Sequence, residues 1–131
     1  MTLRTVVIGR ELGNKRSLME WFFSQTGEIR GYTGAIFTGA TSKELAKVIR
    51  VIVSKPEIKG LLNVAGAPIS KCDFLKLVKE VYGRVDINIV PFDDFHCDRS
   101  LDTSKMRSFG ISIADYKTMI KEMREDESTY R

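Results

Sequence analysis

The sequence predicts an α/β fold in which a small mixed or parallel sheet is flanked by helices. Short β-branched, apolar segments alternate along the chain with amphipathic helical segments. Several of the helical segments begin with a side-chain capping pattern. The 131 residues, 43% hydrophobic and 29% charged, are typical of one globular domain. We therefore expect a single α/β domain over residues 1–124 and a charged C-terminal tail over residues 125–131.

The first element is predicted to be a strand over Leu3–Gly9, because this segment is apolar and β-branched almost throughout. Such a run is typical of a strand that is buried on both faces inside a parallel sheet. The loop after it is basic and contains Arg16. Ligands of open α/β sheets usually bind beyond the carboxyl ends of the strands, so this loop is a candidate binding segment.

A helix is predicted from Ser17 to about Ser24, because the S-x-x-E spacing of a capping box begins at Ser17. Trp21 shares the apolar side of this helix with Leu18 and Phe22. A tryptophan at helical spacing among apolar neighbours is more often a core residue than a stacking platform. The spacing favours the core interpretation, and stacking of Trp21 on a flat ligand is the alternative.

In the middle of the chain, the sequence predicts two short strands, a helix and a further strand. The glycine-rich segment Glu28–Thr38 indicates two strands around a turn at Thr33–Gly34. Thr41 begins a second capping box, and the 3.6-residue apolar period after it predicts a helix that ends before Pro56. The apolar run Leu61–Ala65, placed between glycines, predicts a short buried strand.

The last part of the chain predicts two more helices and an edge strand. Ser70 is expected to begin a helix that ends at Gly83. Asp86–Pro91 alternates polar and apolar residues, and its proline favours an edge position. We assign His96 and its acidic neighbours to a loop. The Ser112-x-x-Asp115 pattern predicts the cap of the final helix.

The segment Asp98–Gly110 combines charge with the start and stop signals of a short helix. Asp102 is expected to cap this helix, and Gly110 suits the left-handed residue that ends it. Arg99 would then lie beside the positive end of the helix, where a phosphate or carboxylate is favoured. The alternative is a surface ion pair between Arg99 and Asp102, and spacing alone favours this alternative.

The printed sequence contains no complete catalytic or cofactor motif. G-x-G-x-x-G, G-x-x-x-x-G-K and Y-x-x-x-K are all absent. Cys72, Cys97 and His96 are too few and too far apart for a structural zinc site, so we expect packing thiols and no metal. His96 has no neighbours that would complete a nucleophile–base set.

The charge and hydropathy patterns exclude two classes of partner. The formal net charge is +4, but the 21 basic and 17 acidic residues are interspersed, so we expect no nucleic-acid partner. No apolar run approaches the roughly 20 residues that span a bilayer, and no signal peptide is recognisable. We therefore expect no membrane association and a cytoplasmic location.

The order and spacing of several segments resemble the second half of an extended short-chain dehydrogenase/reductase. The likeness is to the branch that contains dTDP-4-dehydrorhamnose reductase and the nucleotide-sugar epimerases and dehydratases. The segments that carry it are Leu3–Thr5, Glu20–Phe22, Gly31–Gly39, Glu44–Ala46, Gly60–Val64, Ile69–Phe74 and Arg99–Lys105 with Phe109–Gly110. Arg99–Lys105 is similar to that family's S-x-L-D-x-x-K segment.

This resemblance implies the substrate-binding half of a Rossmann-type reductase without its dinucleotide-binding half. NAD(P) is the cofactor implied for the full-length parent, and no cofactor is expected on this chain. The expected partner is a nucleotide sugar, with its phosphates near Arg99 and its base near Trp21 and Thr38. Arg16 completes the predicted substrate contacts. The chain should not transfer hydride alone, and reduction, epimerisation and dehydration remain alternatives for the parent.

The family resemblance also has departures. Related enzymes often hold the pyrophosphate with an arginine at the position where this chain has Phe95 and His96.

A second class of function is a stand-alone interaction or oligomerisation module. Without a partner half, the first strand would expose an edge, and Leu3–Ile8 would be able to pair with a second copy as a homodimer.

Overall fold

The computed structural model describes residues 1–9 and 17–126 and confirms the α/β class. Arg16 and the end of the predicted tail lie outside the described residues. The strands are β1 (Thr2–Arg4), β2 (Val7–Ile8), β3 (Gly27–Phe37), β4 (Ala40–Thr41), β5 (Leu61–Asn63), β6 (Ile69–Ser70) and β7 (Ile87–Asp98). The helices are α1 (Leu18–Phe23), α2 (Ser42–Val53), α3 (Lys71–Tyr82), α4 (Ser104–Ser108) and α5 (Tyr116–Glu125).

The described strands form three small sheets. β1 pairs in parallel with β5, and β2 pairs in parallel with β4. The third sheet has the order β6–β3–β7, in which β3 is antiparallel to β6 and parallel to β7. The sheets are thus mixed and parallel as predicted. No helix in the described part of the chain has both the length and the hydrophobicity to span a bilayer.

The first predicted strand is two short strands in the structure. β1 and β2 are separated by Thr5 and Val6, and they pair with different partners. The prediction of burial on both faces is wrong, because Val6 and Val7 are 43% and 56% exposed. Each short strand pairs along one side within the described chain, so its other side is left uncovered.

The predicted turn at Thr33–Gly34 is wrong, because β3 runs through it as one strand of 11 residues. Gly31 and Gly34 do not have positive φ angles; instead, they allow close packing. A Cβ atom on Gly31 would lie 2.6 Å from Ile89 Cγ2 and 2.9 Å from Cys72 Sγ. The glycines therefore mark where neighbouring elements approach the strand, and they do not mark a reversal of the chain.

β7 is longer than predicted and ends at Asp98 instead of Pro91. His96 consequently lies in a strand, and its assignment to a loop is wrong. The edge position is confirmed: among the described strands, β7 pairs with β3 alone, which leaves room for Pro91. A shift in the β3–β7 register follows Tyr32, so the second half of β7 pairs in a new alignment.

Three predicted helix starts are confirmed by side-chain capping bonds. The hydroxyl groups of Ser17, Thr41 and Ser70 accept the backbone N–H three residues later, at 3.3, 3.3 and 3.0 Å. The last helix differs from the prediction, because its cap is Asp115 and not Ser112. The Asp115 carboxylate accepts a first-turn N–H at 2.8 Å. α5 therefore begins at Tyr116.

The main core lies between the β6–β3–β7 sheet and helices α1, α3 and α5, and a second core surrounds α2, α4 and β5. The Tyr116 hydroxyl group forms hydrogen bonds with two loops beside the main core. Its hydroxyl donates to the carbonyl oxygen of Ala67 at 2.6 Å and accepts the N–H of Gly39 at 3.1 Å. Burial raises the pKa of Tyr116 above its ordinary value, so the phenol remains a donor at neutral pH.

We expect Tyr116→Phe to lower the free energy of unfolding by about 1–3 kcal/mol, because it leaves the buried Gly39 N–H without an acceptor. Urea titration monitored by circular dichroism measures the change. Tyr32→Phe is the matched control, since no hydrogen bond of the Tyr32 hydroxyl is present in the described chain. Equal stability of the two variants would contradict this role of Tyr116.

Candidate binding cleft

A cleft of about 430 Å³ opens where the carboxyl ends of β3 and β7 meet β2 and the start of α1. Most of its wall is apolar. The residues that form this apolar wall include Val6, Ile8, Leu18, Ala35, Phe37 and Phe74. The position at strand ends agrees with the general location of ligand sites in α/β sheets.

The end of β7 supplies one side of the cleft. Phe95, Cys97 and Arg99 all line it, and they alternate along the chain as residues on one face of a strand do. The Arg99 N–H donates to the carbonyl oxygen of Ile36 at 2.8 Å, which continues the hydrogen bonding between the strands. The backbone of Arg99 is therefore held against β3 while its side chain is exposed.

The charged side chains in the described lining of the cleft are both positive. Lys71 and Arg99 both line it, and no carboxylate lines it within the described part of the chain. Neither cation has a hydrogen-bond or ion-pair partner for its side chain among residues 1–9 and 17–126. An apolar cavity with uncompensated positive charge favours an anion that also carries an apolar or planar part.

Arg99 lies at the end of a strand and not at the start of a helix. α4 begins at Ser104, one residue later than predicted, and its N-cap is Thr103 instead of the expected Asp102. No ion pair between Arg99 and Asp102 is present among the described residues either. The Asp102 carboxylate instead accepts the N–H of Ser104 at 2.8 Å. Hydrogen bonds from Ser104 lower the pKa of Asp102, and this bond stabilises the chain entering α4.

Two other predicted site residues, Thr38 and Trp21, lie outside the cleft lining. Thr38 is fully buried, and its hydroxyl accepts the N–H of Leu101 at 3.0 Å. Trp21 is 40% exposed on α1, so the interpretation of Trp21 as a core residue is wrong. Arg16 lies outside the described residues. Of the predicted contacts that the structure describes, Arg99 is the one that reaches the cleft.

Sequence reasoning missed three residues of this cleft. Lys71 is the first residue of α3, and it belongs to no motif that would single it out in the sequence. Phe95 and Cys97 were missed because β7 was predicted to end at Pro91. The alternation of Phe95, Cys97 and Arg99 is visible in the sequence and was the available signal for a longer strand.

Solved structures of nucleotide-sugar enzymes share this fold. A dTDP-4-dehydrorhamnose reductase from Clostridium acetobutylicum matches 96% of this chain and 48% of its own, with a TM-score of 0.74 and 14% identity. A UDP-N-acetylglucosamine 4-epimerase from Methanobrevibacter ruminantium, solved with UDP-N-acetylmuramic acid, matches 98% and 46%, with a TM-score of 0.70 and 15% identity. The GDP-mannoheptose C4 reductase of Campylobacter jejuni matches 79% and 35%, with a TM-score of 0.60 and 25% identity.

These likenesses define the class of fold: the chain is folded like part of an extended short-chain dehydrogenase/reductase. Within that class, the similar structures include dTDP-4-dehydrorhamnose reductases and UDP-N-acetylglucosamine 4-epimerases. The chain spans slightly less than half the length of these proteins. No protein-family model matches the sequence, and no curated protein matches it.

We expect a thiol reagent to modify Cys97 much faster than Cys72 in the native protein. Cys97 is partly exposed in the cleft, whereas Cys72 is 1% exposed beneath the sheet. Reaction with Ellman's reagent should show one fast thiol, which Cys97→Ser removes and Cys72→Ser retains. Equal reactivity of the two thiols would contradict the open cleft.

Proposed function

We propose that this chain is the C-terminal, substrate-binding half of an NAD(P)-dependent nucleotide-sugar reductase, epimerase or dehydratase. Its cleft would bind the nucleoside-diphosphate sugar. The observation that carries the proposal is the apolar cleft, whose described lining contains Lys71 and Arg99 and no carboxylate, in a fold shared with such enzymes. The similar epimerase that was solved with UDP-N-acetylmuramic acid supports the ligand class.

Arg99 is the proposed phosphate contact, because it lines the cleft and its side chain has no carboxylate partner in the described chain. Thr38 would contribute indirectly, since its hydroxyl holds Leu101, two residues after Arg99. Trp21 remains the proposed contact on the base side, and Arg16 remains a proposed substrate contact. The partly exposed ring of Trp21 is available for stacking on a base.

The residues of this chain do not fit NAD(P). The sequence has neither the glycine-rich turn that binds a dinucleotide nor a Tyr-x-x-x-Lys pair. In this proposal the chain binds and orients the nucleotide sugar, and hydride transfer requires a dinucleotide-binding half that these residues do not provide.

Calorimetric titration with UDP-N-acetylglucosamine, dTDP-glucose and GDP-mannose tests the proposal. We expect the chain to bind at least one of these nucleotide sugars, and Arg99→Gln to weaken that binding roughly tenfold through loss of a charged hydrogen bond. Arg50→Gln is the matched control, because Arg50 is exposed on α2 and does not line the cleft.

Failure of every nucleotide sugar to bind would refute the proposed function. Binding that is equally strong in the Arg99→Gln and Arg50→Gln variants would refute the role of Arg99 while leaving the function intact.

A second candidate function, an interaction module that forms a homodimer, is favoured by one observation. β1 and β2 each pair along one side in the described chain, and Val6 and Val7 beside them are exposed. Exposed strand edges readily pair with other chains.

This candidate predicts a concentration-dependent dimer in sedimentation velocity experiments. Val7→Lys should dissociate the dimer, because it places a charge on the exposed edge. Val53→Lys, at an equally exposed apolar position on α2, is the matched control. A monomer at all concentrations would eliminate the candidate.

A further inference from the structure

We propose that Lys105 is a positioning residue, which anchors the segment between β7 and α4 to β5 and thereby fixes one wall of the cleft. We refer to this segment, Arg99–Thr103, as the strap. The effect of Lys105 on ligand binding rests on the proposed function, whereas the anchoring itself does not.

The Lys105 ammonium group binds two backbone carbonyl groups at the start of β5. Its Nζ atom donates to the carbonyl oxygen of Lys59 at 2.7 Å and to that of Leu61 at 3.0 Å. Gly60 lies between these two residues with a φ of +78°, a left-handed conformation that suits glycine. The turn at Gly60 thus presents both flanking carbonyl groups to a single cation.

The bound carbonyl groups belong to the side of β5 that β1 does not use. The Gly60 carbonyl oxygen accepts the N–H of Thr2 in β1 at 2.8 Å. Because backbone groups alternate along a strand, the next carbonyl, that of Leu61, points to the opposite edge. Lys105 therefore occupies the free edge of β5, although its side chain is otherwise exposed.

The other end of the strap is held by β3 and the residue that follows it. The Arg99 N–H donates to the carbonyl oxygen of Ile36 at 2.8 Å, and the Leu101 N–H donates to the buried Thr38 hydroxyl at 3.0 Å. β3 and β5 belong to different sheets. The strap consequently connects the sheet that forms the cleft to the β1–β5 sheet.

Lys105 supplies the charged contact at the β5 end of the strap. α4 has five residues, too few for a helix that is stable by itself, so its direction depends on packing and on contacts with β5. Met106 buries α4 in the second core, and the Asn63 side-chain amide donates to the Asp102 carbonyl oxygen at 2.8 Å. Hydrogen bonds from an ammonium group are stronger than this neutral bond.

The strap begins at a residue of the cleft wall. Phe95, Cys97 and Arg99 line the cleft, and Arg99 is also the first residue of the strap. Lys105 does not line the cleft. Its loss would therefore change the position of the wall without removing a ligand contact.

Hydrogen exchange of backbone amides, followed by NMR on the full chain, tests the anchoring. We expect Lys105→Met to raise the exchange rate of the Leu101 amide roughly tenfold, because charged hydrogen bonds at the β5 end are lost. The amides between β3 and β7 should keep their rates. Lys105→Arg should restore protection, since a guanidinium group also donates to two acceptors. Lys76→Met, at an exposed lysine of α3, is the matched control.

Calorimetric titration of the same variants with UDP-N-acetylglucosamine, dTDP-glucose and GDP-mannose tests the effect on the cleft. We expect Lys105→Met to weaken the binding of any nucleotide sugar that the unmodified chain binds by roughly threefold to tenfold. Lys105→Arg should restore it, and Lys76→Met should leave it unchanged.

The outcomes separate this inference from the proposed function. Equal exchange of Leu101 in the Lys105→Met and Lys76→Met variants overturns the anchoring, and so does a uniform rise in exchange over the whole chain. Faster exchange at Leu101 with unchanged nucleotide-sugar binding overturns the control of the cleft, and the proposed function stands. Faster exchange at Leu101 in a chain that binds none of the three nucleotide sugars supports the anchoring and refutes the proposed function.

Discussion

The parallel pairing of β3 with β7 is the interaction on which the cleft depends. It extends from the Gly27–Ile87 pair to the Ile36–Asp98 pair and packs on α3. The close approach requires Gly31, because a side chain there would collide with Ile89 and with Cys72 of α3. Since β7 pairs with β3 both before and after the register shift, the residues at its end reach the cleft in a defined order.

The parts of the fold that depend on local chemistry could be predicted from the sequence. Ser17, Thr41 and Ser70 cap their helices through bonds to residues three positions away, so a short motif contains the whole interaction. Packing between residues that are distant in the sequence could not be predicted from such local motifs. The close packing at Gly31 and Gly34 involves residues about 40 to 60 positions away, and turn chemistry was the wrong explanation for Gly34.

The candidate site was predictable only in part, because its residues come from distant parts of the chain. Arg99 was identified by its charge and by the helix signal that follows it, whereas its place directly after strand β7 was not predicted. Lys71 could not be connected with Arg99, because only the β6–β3–β7 order brings them together. Trp21 was assigned to the core from its spacing alone, and the short helix α1 leaves it partly exposed instead. The resemblance to extended short-chain dehydrogenase/reductases predicted the fold, whereas the residues that line the cleft were found only from the structure.

Mapping ligand-induced shifts of backbone amides by NMR tests most directly whether this cleft is the nucleotide-sugar site. On titration of the labelled chain with a nucleotide sugar, the account predicts the largest shifts at residues 35–37 and 95–99, where β3 and β7 end. We also expect shifts at Lys71, which lines the cleft from the start of α3. Shifts confined to the groove between α3 and α5, around Glu80 and Lys117, or no shifts at all, would contradict it.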